Sequence, residues 1–392
     1  MRTPILALSL FLVPLGGASA ADYRVSDAEG FRRAVRSAGP GDRILVAAGN
    51  YRGNFYFKNI HGAAGKPIAI VAANPDRPPR FIGATIGLQF TGTSHLELSD
   101  LVITGAKENG LNIDDAGIPN KPAHHITLRN LKISDIGPKG NHDGIKLSGV
   151  DDFTVVDCHV ERWGSSGSAI DMVGCHKGVI RRCQFQHGGS NAVQAKGGSS
   201  EIAIVRCRFE DCGERAINAG GRTDASSFRP PLKSMPANAK YELKNLRVEG
   251  CTFVGGEAAI ALVGVDGATI RCNTIYHPAN YAFRILQENT DAGFVPCRNG
   301  VIENNIIAFR SEKWSDGGVN IGPSTAADTF KFAGNLWYCE DRPKDSAPKL
   351  PVKEKDAIVG VDPRFRDAAK GDLRVKQDSP AASRGAHALP QP

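Results

Sequence analysis

From about Asp100 onward apolar and polar positions alternate in short runs, and the runs recur. The segments LSDLVITG, LRNLKISDIG, VVDCHVERWG, IRRCQFQHGG, IVRCRFEDCG, VEGCTFVGG, IRCNTIYHP and IENNIIAFR are variants of one unit. Each sets two apolar β-formers, a polar pair and one small residue before a second short apolar strand and a turn. The small residues form a column: Asp100, Asn130, Cys158, Cys183, Cys207, Cys251, Asn273, Asn305 and Asn335. Spacings of about 22 to 32 residues, with one of 44, mark a solenoid whose single repeats cannot bury their own apolar face. Period-2 alternation without helical stretches between units predicts an all-β chain, a right-handed parallel β-helix.

The ends differ from the repeats. Residues 1–20 read as a signal peptide: Arg2, an apolar run from Pro4 to Gly17, then Ala18-Ser19-Ala20 as a small-residue cleavage site. The run is too short to span a bilayer, so the expected location is secreted or periplasmic, without membrane insertion. After it, Tyr23-Arg24-Val25 reads as a strand. Phe31, Ala34 and Val35 then mark one face of a short helix that Asp27 caps and Gly39-Pro40-Gly41 ends. A helix there would cover the open strand edge at the N-terminal end of the solenoid. The β-helix is expected over residues 21–340, and residues 341–392 as a C-terminal capping tail carrying Val361-Asp362-Pro363-Arg364-Phe365 and Ser379-Pro380-Ala381.

Alignment of the units also aligns the strand after each turn. Leu111, Ile145, Ile170, Val193, Ile217, Ile260, Phe283 and Val319 point inward, so the following residue points out. That outward row reads Asn112, Lys146, Asp171, Gln194, Asn218, Ala261, Arg284 and Asn320, flanked by Asp143, Ser168, Asn191 and Arg215, with Lys196 two residues beyond Gln194. Short amides among opposite charges suit a carbohydrate-binding groove. The alternative is a cross-strand polar ladder in which Lys146 offsets Asp171. The 44-residue interval holds an insertion, Thr223 to Lys240, and long loops on solenoids sit on functional faces. Arg222, Phe228, Arg229 and Lys233 would give it a basic lip, with Phe228 stacking on a sugar ring.

Composition narrows the partner. The net charge of +7 suits an acidic polymer. Clustered cations with interleaved aromatics, the footprint of nucleic-acid binding, are missing. A monomer is expected. Nine cysteines in an exported chain leave two readings. Stacked coils ~4.8 Å apart permit bridges such as Cys158–Cys183, whereas buried free thiols explain the Asn-to-Cys exchange in the column without any bond. No spacing fits zinc, and His124, His125, His176, His187 and His277 read as surface residues.

The opening Pro40-Gly41-Asp42, Gly49-Asn50-Tyr51 and Pro67-Ile68-Ala69-Ile70 resembles that of the chondroitinase B and alginate lyase family, polysaccharide lyase family six. The resemblance implies a parallel β-helix, β-elimination on a uronate-containing polysaccharide by a Lys and an Arg from adjacent coils, and calcium as cofactor. Lys196 stands in the place of the family's Lys. The Leu-x-x-Arg-His-Gly strand is Ala216-Ile217-Asn218-Ala219-Gly220-Gly221 here, and the two calcium-binding Glu positions hold Asn191 and Gln194. From the residues themselves, elimination needs a base at C5 and neutralisation of the carboxylate. Lys196 is the candidate base, and Arg215 and Arg284 are the candidate carboxylate clamps. Asn191, Gln194, Asn218, Lys146, Asp171, Phe228 and Arg229 are the candidate substrate-binding residues. Two further readings stay open: a non-catalytic glycan-binding solenoid, and a hydrolase or epimerase. Hydrolysis would draw on Asp143 and Asp171, whose offset on adjacent coils suggests a spacing near or beyond the inverting limit.

Overall fold

A computed structural model describes residues 20–389, which leaves the expected signal segment, all but its last residue, outside the described residues. Strands wind through three parallel sheets. A first sheet of 12 strands runs from Asp22–Val25 to Lys331–Ala333. A groove sheet of 10 runs from Phe55–Lys58 to Val319–Ile321. A third sheet of 12 runs from Asn50–Arg52 to Ile358–Val359. Each strand pairs in parallel with its counterparts one coil before and after, as in Ser168–Val173 between Ile145–Ser148 and Asn191–Lys196. The fold is a right-handed parallel β-helix.

One helix, α1 (Ala28–Ser37), lies across the N-terminal end. Asp27 accepts the Gly30 N–H at 2.8 Å, which satisfies an orphan donor of the first turn. Phe31, Ala34 and Val35 are buried, and the Phe31 ring packs against Tyr51, Phe55, Phe57 and Phe81. The aromatic cluster closes the first coils.

The register corrects the small-residue column at its start. Val102, Lys132, His159 and Gln184 are successive partners in the third sheet, so Leu101 and Leu131, not Asp100 and Asn130, stack before Cys158. Asp100 and Asn130 sit one residue earlier at φ of 60° and 48° and turn the corner instead. Asn and Asp tolerate that left-handed conformation, which is why they resemble the Asn residues that are buried further on. The column therefore changes from Leu to Cys to Asn along the axis. All nine thiols are free, so the Cys158–Cys183 bridge is not formed. Burial pushes the Cys175 and Cys212 thiols up to about 12, away from nucleophilic use.

The Asn part is a hydrogen-bonded ladder. Asn273 N and Nδ2 both donate to Asn305 Oδ1 at 2.9 Å. Asn305 N and Nδ2 donate to Asn335 Oδ1 at 2.9 and 2.8 Å. Asn335 N and Nδ2 end on Glu354 Oε1 at 2.9 and 2.6 Å. Asn305→Ala should cost about 2–3 kcal/mol in a urea melt, because it orphans the buried Asn273 N–H and the Ile270 carbonyl of the preceding coil. Asn305→Cys should cost less, since the same column accepts Cys three coils earlier. Equal losses for the two variants would argue against the ladder.

Candidate functional site

Regular winding puts the outward row on one face. The residues Asn112, Lys146, Asp171, Gln194, Asn218, Ala261, Arg284 and Asn320 are consecutive Cα partners across the groove sheet. Side chains then sort the row into two clusters and one outlier.

The first cluster joins Lys196, Gln194, Asn218 and Arg215. Gln194 and Asn218 are Cα partners. Lys196, at the end of its strand, reaches back so that Nζ donates to Gln194 Oε1 at 3.4 Å. Arg215, at the start of the next coil's strand, reaches forward so that Nη1 donates to Asn218 Oδ1 at 2.9 Å. The two cations thus lean toward each other from opposite strand ends across a pair of amides. Among the described residues no carboxylate lies within ion-pair distance of Lys196, whereas Arg215 meets Glu288 Oε1 at 3.3 Å. Glu288 comes from the loop after strand Tyr281–Leu286. Nothing in the repeat pattern singled it out.

Arg284 is the outlier. It stands two coils beyond Asn218, past the buried Ala261, and its Nε donates to Asn320 Oδ1 at 3.1 Å. Its guanidinium lies 5.2 Å from the Tyr281 ring centroid, in cation–π range. It extends the face, turned away from Lys196.

The second cluster is Asp143, Lys146 and Asp171. The Lys146 ammonium contacts Asp171 Oδ2 and lies 3.5 Å from Asp143 Oδ2. Both carboxylates are 2% exposed. One ammonium touches both, so the two oxygens lie closer together than the ~6.5 Å at which the inverting window opens. That overturns the wider spacing expected from the register alone, because side chains lean where Cα positions do not. Burial and the neighbouring Asp171 charge push Asp143 up to about 6, against the opposing pull of Lys146 and a 2.8 Å bond from the Ser168 N–H. Burial opposes the Lys146 charge, yet Asp171 and Asp143 outweigh it and hold the ammonium above its usual range. Lys146 and Asp171 are thus committed to each other, as the cross-strand ladder alternative had it.

The insertion corrects a second expectation. Phe228 is 2% exposed and packs edge-on against Phe294 at 5.5 Å, so it offers no face to a sugar. Arg229 is buried, its Nη1 donating to Asp151 Oδ1 at 2.9 Å and to the Gly174 carbonyl at 3.1 Å. Both side chains anchor the loop, while Arg222 and Lys233 are exposed. The missed organiser is Glu242, fully buried. It accepts from Gly197 N at 3.0 Å, Thr223 N at 3.0 Å and Asn289 Nδ2 at 3.1 Å. One carboxylate so ties the turn after Lys196, the insertion and the Glu288 loop together. A pocket of about 370 Å³ lies between the insertion and Lys146, Ser148 and Val173.

Calcium, implied by the resemblance, does not fit this donor set. Its two Glu positions hold neutral amides, with Asn191 buried and Gln194 bonded to Lys196. The buried carboxylates nearby, Asp143 and Asp171, are already engaged by the Lys146 ammonium. Elsewhere the fold does gather possible ligands. His124 and His125, expected as unrelated surface residues, meet His95 from the preceding coil.

A family model described as "Right handed beta helix region" matches residues 86–227. A rhamnogalacturonan lyase is similar over 81% of this chain and 87% of its own, at 13% identity and TM-score 0.57. The chain shares its fold with that enzyme. A GH136 lacto-N-biosidase from Eubacterium ramulus is similar over 86% of this chain and 68% of its own, at 14% identity and TM-score 0.57. A mutant of the PL6 family alginate lyase AlyGC is similar over 95% of this chain at 12% identity and TM-score 0.51, and the match spans 59% of that enzyme. Among curated proteins no sequence matches. Among the described residues no helix is long and apolar enough to cross a membrane.

Proposed function

We propose that the protein is an exported polysaccharide lyase that cleaves a uronate-containing polysaccharide by β-elimination. The observation that carries this reading is the pairing of Lys196 and Arg215 across Gln194 and Asn218. Elimination requires a base at C5 of the uronate and a positive group on its carboxylate, since the C5 proton becomes acidic only when that charge is neutralised. Lys196 removes the C5 proton, the C4=C5 double bond forms as the C4–O4 bond breaks, and the protonated Lys196 returns that proton to the leaving 4-oxygen. Arg215 binds the carboxylate with a planar fork matched to it. Asn218 holds that fork in place and Gln194 orients the sugar hydroxyls, with Asn191 behind them. Arg284 and Tyr281 receive the next residue of the polymer.

Glu288 then has a specific meaning. Its Oε1 accepts from Arg215 Nη1 and Nη2, both at 3.3 Å, which is the contact a uronate carboxylate would make. Substrate would have to displace it. Exposed pairs of this kind are worth ~0.2–1 kcal/mol, so Glu288→Gln should lower KM about two- to fivefold with little change in kcat. An unchanged or raised KM would remove Glu288 from the substrate path.

The deciding experiment incubates the protein with a panel of uronate polymers and follows absorbance near ~235 nm, where the conjugated product of elimination absorbs. A second reading, glycoside hydrolysis, is favoured by the close Asp143–Asp171 pair and the raised Asp143. It would release reducing ends without absorbance. Binding with neither signal would leave a non-catalytic glycan-binding solenoid.

A further inference from the structure

Three imidazoles meet on the first sheet, away from the groove. Strands Ser94–Ser99 and Ala123–Arg129 pair so that Ser94 faces His124 and Leu96 faces Ile126. His95 and His125 stand between those pairs at φ of 50° and 55°. In an unbroken strand His124 and His125 would point to opposite faces. The left-handed residue removes that alternation, and the His124 and His125 Nδ1 atoms lie 2.8 Å apart. The His95 and His125 rings stack at 4.5 Å, with His124 edge-on to both at 5.2 and 5.0 Å.

We infer that His95, His124 and His125 form a binding site for a divalent transition-metal ion, zinc above all. One nitrogen from each ring lies within 4.8 Å of the other two. A tetrahedral ion with Zn–N near ~2.0–2.1 Å needs those nitrogens a little closer. Side-chain rotation supplies the difference, since His125 is exposed and the other two are half-buried. Among the described residues no carboxylate or carbonyl is hydrogen-bonded to any of the three rings. Imidazole-rich sites without thiolate suit zinc, copper and nickel rather than calcium or magnesium. Of the three, His124 also lines a cavity of about 560 Å³ together with His61, Ser94, Asp115 and Lys121, which leaves room beside it for a water or small ligand as fourth ligand.

The test is titration of chelator-stripped protein with zinc chloride against a chromophoric chelator, repeated with cobalt chloride read by absorption. The expected result is one ion per chain and a cobalt spectrum without a thiolate charge-transfer band. Affinity should fall at least about tenfold in His125→Ala and in His95→Gln. His277→Ala, which changes the histidine paired with Glu340, should leave it unchanged. His125 is exposed, so its variant should melt as the parent does without metal. Zinc binding that is absent, insensitive to His125→Ala and His95→Gln, or accompanied by a thiolate band overturns the assignment.

Discussion

Lys196→Ala is expected to abolish the ~235 nm signal on the responsive polymer, with kcat down at least about 10³-fold. General-base removal sits in this range, and the neighbouring cations do not replace it. Lys146, the other lysine of the row, is held between two carboxylates, and the Arg215 guanidinium is engaged by Asn218 and Glu288. The fold should tolerate the change. Lys196 is half-buried, and among the described residues its ammonium makes one hydrogen bond, at 3.4 Å to Gln194. Asp143→Asn serves as the contrast. Its oxygen can still accept the Ser168 N–H, so an elimination centred on Lys196 should survive it, while hydrolysis through Asp143 should not. Activity retained in Lys196→Ala and lost in Asp143→Asn would sink the elimination reading. A KM effect alone in Lys196→Ala would demote that lysine to substrate binding.

The fold and the outward row were legible because both rest on a period of two. Once the inward apolar positions are aligned, every outward neighbour from Asn112 to Asn320 follows, and the pairing register agrees at each step. The same logic fails where the backbone leaves the β region. Asp100 and Asn130 look like members of the buried column, yet they occupy left-handed corners. The pairing of His95 with His125 depends on left-handed residues inside strands, which periodicity cannot reveal. Loops were the other blind spot. Phe228 and Arg229 suggested an exposed lip, but the insertion folds down on Phe294 and Asp151. The two acids that shape the site, Glu242 and Glu288, carry no mark in the repeat. Contacts of high sequence separation are a property of the folded path.

These contacts also separate what supports the groove from what would react in it. Glu242 makes its bonds entirely within the fold. The Asp143–Lys146–Asp171 cluster is nearly as enclosed, and its two carboxylates face the solenoid's own ammonium. Lys196 and Arg215 differ. They project from the same sheet, and among the described residues the first has no carboxylate within ion-pair distance while the second meets the half-exposed Glu288. A groove built this way ties its buried carboxylates to donors inside the fold and presents Lys196 and Arg215 outward, which suits a polyanion.

Replacing Lys146 tests that division most severely. Lys146→Met keeps the length and apolar stem of the side chain but leaves Asp143 and Asp171, each 2% exposed, facing one another. Removing one partner of a buried ionic cluster costs ~3–5 kcal/mol, and here the loss should depend on pH. In the parent, burial and Asp171 already push Asp143 up to about 6, with Lys146 pulling it down. Without the ammonium the carboxyl rises further. A carboxyl whose folded-state pKa lies above its unfolded value, near ~3.9, binds more protons when folded. Stability therefore falls as pH rises through that window and recovers as pH drops below it. Urea midpoints at pH 5 and pH 8 should show a small deficit for Lys146→Met at the lower pH and nearly the full one at the higher. The double variant Lys146→Met with Asp143→Asn should regain part of the loss at pH 8, because the repulsion between the two carboxylates is gone while Asp171 still lacks the ammonium it contacts. A deficit equal at both pH values would mean that Lys146 stabilises the sheet through its packing, and that the two carboxylates do not share its charge.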